Sequence, residues 1–168
     1  MISVNSLVAA RRELTALVEA AAPDPLREVD TLQEAQLLDT RVCQLTSTAA
    51  LLFELRTSLQ FDAGNAALLV VRGLRSFGWK SSALQVPFAA LTVVSSLPDR
   101  ATDSFRARFE FFPNAQLDVA GTQAEFYVLK VDGIGDVPPD YTEMSQERIE
   151  RELPSWSSTC NPLHMSSV

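Results

Sequence analysis

Histidine and lysine are almost missing from this 168-residue chain, which carries one histidine, His164, and only Lys80 and Lys130 beside twelve arginines. Few bases and a formal net charge of −7 leave no basic face of the kind a nucleic-acid binder needs. The preference for arginine over lysine has the look of a high-GC genome and not of a phosphate-binding design. Cysteine is nearly as scarce. Cys43 and Cys160 lie far apart with no CxxC spacing, which excludes a disulfide framework and suits a reducing compartment. One histidine and two cysteines also fall short of a four-ligand zinc site. No apolar run approaches the ~20 residues of a membrane helix, and Met1 to Ser6 lack the basic start and long apolar run of a secretory signal. A cytoplasmic protein with no membrane and no nucleic-acid partner is expected.

What is present is ordinary globular material. Hydrophobic residues make up 46% and charged residues 21%, enough to fill a core without staples and to argue against disorder. The length fits one domain, residues 1–168, in three parts. Residues 1–36 hold six acids and three bases, residues 37–131 eight and nine, and residues 132–168 seven and two. A nearly neutral middle therefore lies between acidic ends.

The first part predicts one or two helices. Leu7, Leu14, Leu17 and Val18 recur at helical spacing, with Ser6 or Asn5 as a cap and Pro23 and Pro25 as a stop. A shorter helix is expected over Leu26 to Gln36, with Leu26, Val29 and Leu32 on one side. From Leu37 to Val131 the period changes to two. Strands are predicted at 38–45, 51–61, 67–77, 86–97, 105–111, 116–120 and 124–131, joined by turns such as Asp62-Ala63-Gly64-Asn65, Pro98-Asp99-Arg100 and Pro113-Asn114. Leu51 to Phe61 reads as a half-buried strand with one polar face, and Leu68-Leu69-Val70-Val71 as a central strand. The fold class expected is α+β: an antiparallel sheet or sandwich of about seven strands, with one or two N-terminal helices and a short C-terminal helix. That last helix falls at Glu143 to Leu153, and Pro154 to Val168 is expected to fray at the surface.

Catalytic chemistry finds little support. His164 and Cys160 sit in the segment expected to fray, and a catalytic base must be held rigidly. Gly133-Ile134-Gly135-Asp136 is followed by Pro138-Pro139 where a phosphate loop needs its third glycine and helix. Glu54 and Glu110 stand beside Arg56, Arg106 and Arg108 and read as cross-strand ion pairs. No catalytic residue, metal ligand or cofactor is assigned, and an enzyme is not expected. Phe53, Phe61, Phe105, Phe109 and Phe126 fall on apolar faces and are assigned to the core. Trp79, Tyr141 and Trp156 fall in loops or tail, where aromatics mark contact surfaces. Asp132, Asp136, Asp140 and Glu143 form the densest acidic cluster. It suits a basic protein partner, which charge would steer. The partner-binding residues expected are thus Trp79, Asp136, Asp140, Tyr141, Glu143 and Trp156. The alternatives are a divalent-ion site or enzyme built on residues 132–143, a small-ligand carrier with a cavity in the sheet, and a homo-oligomer joined through the N-terminal helix.

Leu37-Leu38-Asp39-Thr40-Arg41-Val42, the alternation running to Phe61, and Leu68 through Phe77 resemble the opening of small β-rich immunity proteins of bacterial polymorphic-toxin systems. Ala107 through Val128 resembles their late strands, and Gly133 to Tyr141 with Trp156 is similar in style to uncharacterised actinobacterial proteins. The histidine usual beside the leading aspartate is replaced here by Leu38. The resemblance implies a protein binder that blocks its partner and carries no catalytic residues.

Overall fold

The structure is a computed structural model and describes residues 2–10, 23–82 and 89–168. Its strands are β1 (Ile2–Ser3), β2 (Gln36–Cys43), β3 (Thr48–Glu54), β4 (Ala66–Arg72), β5 (Ser76–Ser81), β6 (Leu91–Ala101), β7 (Ser104–Phe112), β8 (Ala115–Gly121), β9 (Gln123–Val131) and β10 (Thr159–Ser167). Two short helices accompany them, α1 (Val4–Ala9) and α2 (Gln146–Glu152). All ten strands join one sheet, in the order β1-β10-β9-β4-β3-β2-β6-β7-β8-β5, with antiparallel neighbours throughout. This corrects the α+β expectation of about seven strands with several helices. The fold is β-rich, and its helical content among the described residues is two short turns of chain.

Three strands account for the difference in number. The segment after Pro154 is not a fraying tail: Thr159 to Ser167 forms β10, seated between β1 and β9. Its Asn, Pro, Ser and Thr residues have low strand propensity, yet β9 supplies a complete ladder from Val131 to Glu125. The run from Ala67 to Phe77 is broken by Gly73, whose φ of +59° suits glycine. It yields β4 and then β5, which pairs with β8 instead. Gly78 to Ser81 is therefore strand, not loop. The two-residue β1 completes the set.

Other expectations fall for local reasons. Where that helix was expected, Leu26 to Glu34 is a series of turns and Gln36 already begins β2, because Asp30 and Glu34 adopt positive φ (57° and 66°) and cannot continue a right-handed helix. Leu26 and Leu32 are buried even so. Of the N-terminal helix only Val4–Ala9 is described, so Leu14, Leu17 and Val18 lie outside the described residues. Pro98-Asp99-Arg100 continues β6, and the chain reverses beyond Ala101. The predicted strand 51–61 ends at Glu54. Phe61, past the turn, packs on Phe126 at a ring distance of 6.0 Å. The alternation seen beyond Glu54 was therefore coincidental.

The sheet bends between β2 and β6, whose pairing is confined to Gln36↔Thr92 and Leu37↔Leu91. This places β7 and β8 over the inner face of β3, β4 and β9. The inner core holds Leu51, Phe53, Leu69, Phe105, Phe109, Leu117 and Phe126, with Phe53 and Phe109 rings 5.8 Å apart. The outer face of β3, β4 and β9 is buried too, under Val4, Leu7, Trp156, Cys160 and Met165. All seven residues of β3 are consequently buried, where one polar face was expected. The clean alternation of β7, by contrast, is real: its outer face meets solvent.

Two buried ion pairs hold the cover onto that outer face. Arg56 grips Glu54 through Nε to Oε1 (2.8 Å) and Nη2 to Oε2 (2.5 Å). Its remaining donors reach the carbonyls of Gly135 (2.8 Å), Val137 (3.1 Å) and Glu152 (2.7 Å). Arg72 does the same near the other end. It donates to both Glu125 oxygens at 3.0 Å and to the carbonyls of Val8 (3.0 Å) and Ala10 (2.6 Å) at the end of α1. Tyr127 donates its hydroxyl to Glu125 Oε2 at 3.0 Å. Glu54 was expected in a cross-strand pair, but its partner lies two residues along its own chain. Arg106 and Arg108 pair across strands with Asp118 on β8 (2.8 and 3.1 Å).

Candidate functional site

Bending at β2–β6 leaves a groove along β2. Leu38 is the extra residue of a bulge opposite β3, and beyond Leu37 the strand has left β6. On one side lies a 440 Å³ hollow lined by Leu38, Leu52, Tyr141, Glu150, Leu153 and Trp156. On the other lies a 400 Å³ hollow lined by Thr40, Phe77, Trp79 and Leu91. Leu37, Leu38, Asp39 and Leu91 border both hollows. Tyr141 and Trp156, from the loops before and after α2, line the first hollow, and Trp79, from β5, lines the second.

Each aromatic is held differently. Trp79 is 43% exposed and rests against Phe111 at 5.9 Å. Trp156 is buried. Its Nε1 donates to Asp39 Oδ2 at 2.6 Å, and Arg41 lies over its ring at 4.6 Å, a cation–π contact. Tyr141 is half-buried, and its hydroxyl is pushed up to about 12 by burial and by the nearby Glu54 carboxylate. Asp39 has a second bond: its Oδ1 accepts the Thr40 amide at 2.8 Å.

The predicted acidic residues do not line this groove. Asp136 projects into solvent, 3.8 Å from Lys130. Asp140 closes a turn on Thr142, whose hydroxyl and amide hydrogen bonds hold the carboxyl below its ordinary range. Glu143 is exposed. These three belong to the chain that leads into the groove through Tyr141 and α2, and Glu150 is the acid that does line it. Sequence reasoning missed Leu37 to Asp39 and Glu150, for which only the strand-to-bulge geometry provides a signal.

Other sites are less suited to contact. A further hollow, of 610 Å³, is lined by Cys43, Thr48, Arg72 and Glu125, but its two charged groups are committed to each other and to α1. Among the described residues, no group of three His, Cys, Asp or Glu side chains is placed to hold a metal ion. Cys160 and His164 fall on opposite faces of β10, since Cys160 lies opposite Val131 on the outer side and His164 opposite Val128 on the inner. The described part of the N-terminal helix turns Val4 and Leu7 onto the sheet and not outward. Among the described residues, no helix is long and apolar enough to cross a membrane.

No protein-family model matches the chain, and no curated protein matches it in sequence. It is similar in structure to an uncharacterized protein from Neisseria gonorrhoeae, with a TM-score of 0.42 and 8% identity, over 59% of this chain and 94% of that one.

Proposed function

We propose that this chain is a non-enzymatic protein-binding module that engages a basic partner through the groove along β2. The observation that carries this is that Trp79, Tyr141 and Trp156 line two hollows that share Leu37, Leu38, Asp39 and Leu91 along β2. Aromatics of this kind dominate binding energy where they can be fully desolvated. Acids reinforce it. Residues 132–168 carry seven acids against two bases, and Asp136, Asp140 and Glu143 extend the negative field beside Glu150. Such a field speeds encounter with a basic surface and discourages acidic ones. Blocking a basic partner by occupying its surface, as immunity proteins do, is the form of this function that the acidic rim favours. The two free thiols, one exposed and one buried, suit the reducing cytoplasm.

The test is comparative capture from cells of the source organism. Wild type and Glu110→Ala, altered on the outer face of β7, should retain the same partner. Trp79→Ala and the charge reversal Glu150→Lys should each retain about tenfold less. Partner retention unchanged in both groove variants would overturn the assignment.

A further inference from the structure

Two side chains of β2 hold Trp156. Asp39 and Arg41 lie two residues apart beyond the bulge at Leu38, opposite Leu52 and Ala50 of β3. Alternate residues of a strand share a face, and Leu52, Ala50 and Trp156 all belong to the outer core. Asp39 takes the edge of the indole, accepting its Nε1–H at 2.6 Å, and Arg41 takes its face at 4.6 Å from the ring centre. Arg41 is itself exposed. An exposed arginine stays over a ring only if something fixes it, because ordering its long side chain costs rotamer entropy.

Asn5 supplies that fixture. Its Oδ1 accepts Arg41 Nη1 at 2.9 Å, and its own amide donates to the Trp156 carbonyl at 2.9 Å. One residue of α1 thus holds the main chain of Trp156 directly and its ring through Arg41. The contacts close a cycle of three residues, drawn from α1, β2 and the loop after α2. Asn5 is anchored by its neighbours. Ile2 and Ser3 pair with Cys160 and Thr159, Val4 donates to the Ser158 carbonyl at 3.1 Å, and Val4 and Leu7 are buried. The helix itself has no need of asparagine at this position. Its cap is Ser3, in a reciprocal pair with Ser6, and alanine is the better helix former. What the position uses is the side-chain oxygen.

We propose that Asn5 is a positioning residue of the partner-binding site, holding Arg41 over Trp156 and so fixing the indole in the pose that the partner meets. This rests on the protein-binding function proposed above and adds the segment Ile2–Ala10 to its site. Asn5 lines neither hollow beside β2, so its effect runs through Arg41 and Trp156.

Trp79→Phe leaves Trp156 as the sole tryptophan, and acrylamide quenching then reads how firmly its ring is covered. Asn5→Ala should raise quenching at least about twofold, since the cover over one ring face is released. Asn5→Asp keeps an oxygen for Arg41 and should restore the original value. Arg41→Ala should match Asn5→Ala, and the two together should be no worse than either, because they act as one chain. With Trp79 in place, Asn5→Ala should retain about tenfold less of the partner captured from source cells, and Asn5→Asp should retain it in full. Met165→Ala opens a cavity in the outer core on β10, separated from β2 by β9, β4 and β3. It lowers stability alone and should leave retention unchanged. Unchanged quenching in Asn5→Ala overturns the hold on the ring. Raised quenching with full retention overturns the positioning role and leaves the binding function standing. Equal losses of retention in Asn5→Ala and Met165→Ala reduce Asn5 to a structural residue, which also overturns it. Retention indifferent to Trp79→Ala and Glu150→Lys removes the function beneath, and the role with it.

Discussion

Replacing Arg56 by alanine removes five hydrogen bonds from one buried guanidinium, whose side chain is 4% exposed beside a Glu54 side chain at 0%. Two of those bonds neutralise Glu54, and three tie the carbonyls of Gly135, Val137 and Glu152 to the sheet. Breaking a buried pair by deleting one partner costs about 3–5 kcal/mol, mainly because the other charge is stranded. At ~2–4 °C per kcal/mol for a chain of this size, the melting temperature should fall by roughly 10 °C. Urea unfolding measures the loss directly, and limited proteolysis should show earlier cleavage between β9 and α2. The double variant Glu54→Leu with Arg56→Met removes both charges and should recover more than half of the loss, as apolar replacement of buried pairs often does. The reasoning fails if Arg56→Ala costs less than about 1 kcal/mol, or if the double variant is no more stable than the single.

Further outcomes follow from the same structure. Truncation before Thr159 removes β10 with Cys160 and Met165, uncovering the whole of β9; circular dichroism should show loss of cooperative folding, where a fraying tail would leave it intact. Ellman's reagent should react quickly with Cys43, exposed and lowered in pKa by hydrogen bonds from Thr46, and only on unfolding with Cys160, raised to about 11 by burial and by Asp132. Both tyrosines are raised above their ordinary value of 10, Tyr141 to about 12 and Tyr127 further, by burial first and then by Glu54 and Glu125 respectively. Above pH 10 the folded state thus holds protons that the unfolded state has released, so stability must fall as pH rises toward 12. Absorbance at 295 nm should stay nearly flat to about pH 11 and rise only beyond it, while the urea midpoint already declines. Asp39→Ala leaves the buried indole N–H of Trp156 unpaired, which should cost about 1–3 kcal/mol and shift tryptophan emission to the red.

How far the chain could be read without its structure depends on whether each signal is local. In β7 the faces alternate because one side meets solvent, so Phe105 and Phe109 were readable as core. The turn at Pro113-Asn114 and the short helix α2 carry equally local signals, and β9, buried on both faces, was readable as an apolar run between turns. In β3 both faces are buried, and period two no longer marks its end, so Phe61 was drawn into a strand it does not join. β10 was invisible because its residues are chosen by the neighbour they pair with and not by propensity. At the site, Trp79, Tyr141 and Trp156 could be picked out as aromatics in irregular chain. Their placement beside Leu37 to Asp39 could not, since it depends on where β2 parts from β6.

By itself the sequence determined the antiparallel sheet, its inner apolar faces, the acidic C-terminal part, and the scarcity of histidine and cysteine. These are properties of composition and of period, which each segment carries alone. Tertiary structure decided the order of ten strands, the burial of Glu54 and Glu125 with their arginines, and the groove itself. Those arise from pairings between residues far apart in the chain, such as Asp39 with Trp156 and Arg72 with Glu125. A buried charge is defined by what surrounds it, and that becomes fixed only when the sheet bends.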